Sequence, residues 1–119
     1  MNCLKSLFRN MHLCTAFLLS MFFTQACANP IVEEYKLNVE SYNKAISEQQ
    51  YEQAYKYSEV LLSMDPSDTL SLLRLTYSSK MLKKNDKSIV NEYLNGVQRS
   101  SDQDKEIISL IMAIQASKN

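Results

Sequence analysis

Gly96 is the only glycine, and Pro30 and Pro66 are the only prolines, in this chain of 119 residues. A multi-stranded β protein needs turn residues at short, regular intervals, and almost none are present. No segment alternates apolar and polar side chains as a half-buried strand would. What recurs instead is a spacing of three and four. Val32, Tyr35, Val39, Tyr42 and Ile46 share one face of a helix predicted over about 31–48. Tyr51, Ala54, Tyr55, Ser58, Leu61 and Leu62 do the same over about 51–64. Asp65-Pro66-Ser67-Asp68 ends that helix and caps the next, since proline cannot continue the ladder and a carboxylate suits a helix N-terminus.

The third helix, over about 68–83, carries Leu70, Leu72, Leu73, Leu75, Tyr77, Met81 and Leu82. These fill more than one stripe, which predicts a helix packed between neighbours. Val90, Tyr93, Leu94 and Val97 mark a fourth helix, ended by Asn95-Gly96. Ser101, with Asp104 three residues on, opens a fifth whose apolar face is Ile107, Ile108, Ile111 and Ile114. The expected fold is all-α: about five antiparallel helices in helix-turn-helix pairs, forming a short solenoid or bundle.

Residues 1–28 read as a secretory signal peptide. Lys5 and Arg9 give it a basic start, Leu13 to Phe23 is apolar apart from Thr15 and Ser20, and Ala26-Cys27-Ala28 supplies a small-residue cleavage site. The apolar run is shorter than the ~20 residues of a spanning helix. The expected domains are therefore the signal peptide, 1–28, and a helical domain, 29–119, in an exported, periplasmic or secreted protein. The alternative is a lipoprotein anchored through Cys27, the one route by which a membrane becomes a partner. The residues before it, Thr24 and Gln25, depart from the usual lipoprotein pattern.

Cleavage would decide the available chemistry. Cys3, Cys14 and Cys27 are the only cysteines, His12 is the only histidine, and all lie within the first 28 residues. A domain without Cys or His has no disulfide, no zinc or copper site built on those ligands, and no Ser-His-Asp or Cys-His nucleophile. Glu33-Glu34 does not form a catalytic carboxylate pair, because adjacent helical residues do not face each other. No cofactor and no enzymatic activity are expected. The 13 basic and 13 acidic side chains balance, which gives no electrostatic case for nucleic acid.

Shifting the chain by 36 residues lays Val39 on Leu75 and Ile111, Ile46 on Leu82, and Gln49-Gln50 on Asn85-Asp86. Two helix-turn-helix units and a closing helix are expected from it. Within the first unit, Tyr51, Ala54 and Pro66 have the spacing of the second half of a tetratricopeptide repeat, which this stretch resembles. Tyr42 and Ala45 depart from the family's first-half pattern, and Lys87 and Val90 replace the aromatic and small residues in the second unit. The resemblance covers about residues 35–100.

That resemblance implies a groove lined by Lys36, Glu40, Asn43 and Ser47, then by Leu72, Thr76, Ser79 and Lys83, in which a peptide or another protein binds. Tyr35, Tyr42, Tyr51 and Tyr55 read as core residues with hydroxyls at the rim. Tyr57, off the apolar face, reads as an exposed contact. Lys80, Lys83, Lys84 and Lys87 cluster at a helix end, where cations suit the dipole. The expected function is a non-enzymatic protein–protein interaction module of tetratricopeptide-like hairpins. The alternative is an inhibitor or immunity-type protein that neutralises an exported enzyme. Leu70, Leu72 and the isoleucine-rich last helix predict an apolar patch that a partner or a second copy covers.

Overall fold

A computed structural model describes residues 29–96 and 101–118. The expected signal peptide, Cys27 and Val97 lie outside the described residues. Five helices follow one another: α1 (Pro30–Ser47), α2 (Tyr51–Met64), α3 (Thr69–Met81), α4 (Lys87–Gly96) and α5 (Asp102–Ala116). There is no strand among the described residues, and the fold is an all-α bundle. The chain divides into two units between Glu33 and Glu34. Of the first, only the opening turn of α1 is described: Asn29 Oδ1 accepts from Ile31 N (3.1 Å), and Pro30 fills the first helical position, where its missing N–H has no consequence.

In the second unit α3 and α5 start on short acidic or hydroxyl side chains. Asp68 caps α3 by accepting from Leu70 N (3.0 Å) and Ser71 N (3.2 Å). Ser101 caps α5 in a reciprocal box: its Oγ accepts from Asp104 N (3.0 Å) and donates to Asp104 Oδ2 (2.5 Å). Asp65 Oδ1 accepts from Ser67 N (2.9 Å) and turns the chain between α2 and α3.

The ends of α1 and α3 are alike. Gln50 N donates to Ala45 O (2.8 Å) and Gln49 N to Ile46 O (3.0 Å); Lys84 N donates to Ser79 O and Lys83 N to Lys80 O, both at 3.0 Å. Each pair is a Schellman closure. Gln49 (φ 58°) and Lys83 (φ 56°) occupy the left-handed position that glycine usually takes. These equivalent residues are 34 apart, whereas α2 and α4 begin 36 apart, at Tyr51 and Lys87. The second turn is therefore two residues longer than the first.

Tyr55, Leu62, Leu72, Leu75, Val90 and Ile111 form the main core, with Leu73, Leu82, Tyr93, Leu94 and Ile107 packed against it. Tyr42, Ala45 and Ala54 form a smaller core where α1 meets α2. As the run of leucines predicts, α3 lies between neighbours. Its inner faces also bury Thr69, Ser71, Thr76, Ser78 and Ser79. Local acceptors for these small hydroxyls include Leu72 O for Thr76 Oγ1 (2.9 Å) and Arg74 O for Ser78 Oγ (2.7 Å), which lets polar side chains sit inside at little cost.

Candidate functional site: the outer faces of α1, α3 and α5

The first, third and fifth helices are joined in sequence by side chains. The Tyr35 hydroxyl on α1 donates to the Asp68 carboxylate at the start of α3, and the Tyr42 hydroxyl donates to Arg74 O (3.2 Å). Thr69 Oγ1 on α3 donates to Asp104 Oδ1 on α5 (2.6 Å), and Lys80 Nζ donates to Ser117 O just beyond the end of α5. Tyr35 and Thr69, the first link in each pair, are also 34 residues apart. The register set by the Schellman turns thus holds along the helices.

This register decides which residues face solvent. Lys36, Glu40, Asn43 and Ser47 are exposed on α1. A shift of 34 carries them to Leu70, Arg74, Tyr77 and Met81, the outward stripe of α3. Leu70 is 42% exposed, Tyr77 38% and Met81 40%. Arg74 lies between them, half-buried, with Nη1 3.2 Å from Ser71 Oγ and 3.7 Å from Asp68 Oδ2, and its guanidinium 5.8 Å from the centroid of the Tyr42 ring. On α5, after the two-residue lengthening, the same stripe continues through Glu106, Leu110 and Ala113, all exposed, with Leu110 at 50%.

Four groove expectations take a different place. Leu72 is fully buried in the main core, and Thr76 and Ser79 are buried beside it. The 36-residue shift that assigned them to the groove aligns α2 with α4 but rotates α3 by two residues, about 200° around the helix. Tyr57 is half-buried and packs against the Tyr42–Ala45–Ala54 cluster, where an exposed contact was expected. Lys83 is exposed, but in the turn after α3 rather than on its outer stripe. Of the four tyrosines read as core, Tyr42 and Tyr55 are buried and Tyr35 and Tyr51 half-buried, while Val32 is left exposed.

This face presents apolar, aromatic and charged side chains to solvent. Its aromatic residue, Tyr77, is exposed, whereas burial pushes the phenols of Tyr35, Tyr42 and Tyr55 above their usual range. Among the described residues no three His, Cys, Asp or Glu side chains converge to hold a metal ion. No helix among them is long and apolar enough to cross a membrane.

No protein-family model matches the chain, and no curated protein or solved structure matches it significantly. Leu70, Arg74, Tyr77 and Met81 are the 34-residue image of Lys36, Glu40, Asn43 and Ser47, the one signal in the sequence that points to this face. The coincidence of the helix breaks at 36 obscured it.

Proposed function

We propose that this is an exported, non-enzymatic protein-binding module, built from helical hairpins similar to tetratricopeptide repeats, which holds a segment of another protein against the outer faces of α1, α3 and α5. The observation that carries the reading is the exposed apolar stripe Leu70–Tyr77–Met81 on a helix whose other faces are buried. Exposed tyrosine and methionine beside a charged rim are the surface chemistry of a protein contact. Support for the repeat-like character comes from the 34-residue correspondence of Gln49 with Lys83 and of Tyr35 with Thr69, because 34 is the period of that family. Export rests on the leader read in residues 1–28.

Cross-linked capture from the producing cell's envelope, done in parallel with wild type and with the double variant Tyr77→Glu/Met81→Glu, tests the reading. A protein recovered with wild type and lost with a variant of unchanged helical circular dichroism supports it. Recovery by both at equal yield overturns this face as the contact.

A further inference from the structure

The turn from α3 to α4 gathers Lys80, Lys83, Lys84 and Lys87 around one pocket of about 240 Å³, closed on another side by the end of α5. Asp86 is the only acid in its lining. Glu52, outside the lining, reaches Lys84 Nζ at 3.6 Å. Even with both acids counted, two positive charges are unmet, in a chain whose formal charge is zero.

Two of the four ammonium groups are anchored, Lys80 by a neutral partner and Lys84 by a neutral ring as well as by Glu52. Lys80 Nζ donates to Ser117 O, and Lys84 Nζ stands 3.9 Å from the centroid of the Tyr55 ring. Lys83 and Lys87 are exposed and form no ion pair among the described residues. The Asp86 carboxylate leaves Oδ2 buried and without a hydrogen-bond partner. The first turn of α4, which Lys87 opens, adds the positive end of a helix dipole.

Lysines that line one pocket repel one another, and an anion bound there removes the repulsion. A single carboxylate brings one charge. A phosphoryl group brings nearly two, with three acceptor oxygens, and lysine meets it as a point charge without demanding a fixed fork geometry. We propose that this pocket binds a phosphate-type oxyanion, the phosphoryl group of a small ligand, between the free ammonium groups of Lys83 and Lys87 and the anchored ones of Lys80 and Lys84. The site is separate from the apolar stripe of α3 and stands whether or not that stripe binds a protein.

The probe is inorganic phosphate, titrated into the purified protein at low ionic strength and followed by amide and lysine nuclear magnetic resonance. Acetate and sodium chloride, each at matched ionic strength, are the comparison arms. Saturable shifts confined to residues 80–87 and Ser117 are expected with phosphate. Affinity should fall at least tenfold in Lys83→Gln/Lys87→Gln and stay unchanged in Lys105→Gln. Glutamine at 83 is compatible with the left-handed backbone, as Gln49 demonstrates. Should the double variant lose helicity, Lys87→Gln alone takes its place, with a smaller loss expected. Equal shifts with chloride, equal affinity for acetate, or undiminished binding by the folded variants would overturn the assignment.

Discussion

Gln49 and Lys83 hold the same left-handed backbone conformation, 34 residues apart, and close α1 and α3 with the same pair of hydrogen bonds. A Cβ in that region is strained by about 1–2 kcal/mol, and the chain offers no glycine at either place. The Schellman bonds hold the two turns in spite of the strain. Each turn fixes where the following helix begins, so the two residues together set the register of the bundle.

Gln49→Gly should therefore stabilise the protein. Relief of strain outweighs the extra backbone entropy of glycine, leaving a gain of about 0.5–1 kcal/mol. Gln49 is exposed, so no packing is lost. Urea unfolding followed by circular dichroism should show a raised midpoint with an unchanged slope.

Leu70 and Leu72 separate the two possible registers of α3. Leu72 is fully buried against Leu75 and Ile111, and Leu72→Ala should cost about 2–5 kcal/mol through lost burial and a residual cavity. Leu70 is 42% exposed, and Leu70→Ala should cost less than about 1 kcal/mol while weakening partner capture. The reverse order of costs would place α3 in the 36-residue register.

Most of the fold was legible because helical spacing and caps are local properties. Asp68 and Ser101 each act within one turn, and the starts of α3 and α5 follow from them. Gly96, expected just past the end of α4, is instead its last helical residue and has no positive φ. The candidate face was not legible in the same way. Whether Leu70 or Leu72 points outward depends on how far α3 is rotated against α1 and α5, and that rotation is set by Tyr35 reaching Asp68 and Thr69 reaching Asp104. A two-residue difference between the turns at 48–50 and 82–86 gives two competing periods, 34 and 36, and the sequence alone does not rank them. Tyr57 was misplaced for a related reason: a residue off the apolar face of α2 still packs against α1 when that neighbour covers a second side.

Asp68 concentrates several contacts in one side chain. It caps α3, accepts the hydroxyls of Tyr35 and Ser71, and stands 3.7 Å from the Arg74 guanidinium. Asp68→Ala removes the cap and the acceptor for Tyr35 together, and should lower stability by about 2–3 kcal/mol. In Tyr35→Phe the cap survives and only the Tyr35–Asp68 link between α1 and α3 is lost, while Tyr42 still reaches Arg74 O, so a loss of about 1 kcal/mol is expected. Denaturant unfolding of the two single variants and the double variant would measure the coupling, which should be clearly non-zero.

Removal of the leader would leave a chain of defined mass. Protein recovered from the producing cell should begin at Asn29, the residue that caps α1. Intact-mass spectrometry would show this directly, and a chain beginning at an acylated Cys27 would replace export in free form with membrane anchorage.

Alkaline pH should unfold the protein through its buried phenols. Tyr55 ionises well above the usual value of 10, first because it is buried and then because the Asp86 carboxylate, Glu59 and Glu52 oppose a second negative charge nearby. Tyr35 and Tyr42 are raised as well, chiefly by burial. In each case the folded protein keeps a proton that the unfolded chain releases. The stabilisation is fully present below pH 10 and is lost progressively above it, by up to about 1.4 kcal/mol per pH unit for each such phenol. Tyr55→Phe removes one of the three, so its stability should fall less steeply above pH 10 while the profile at neutral pH keeps its shape. Near-ultraviolet titration should show the phenolates of Tyr35, Tyr42 and Tyr55 appearing only with loss of helical circular dichroism. Ionisation of Tyr42 and Tyr55 at the ordinary phenol pH in a still-folded protein would contradict their burial.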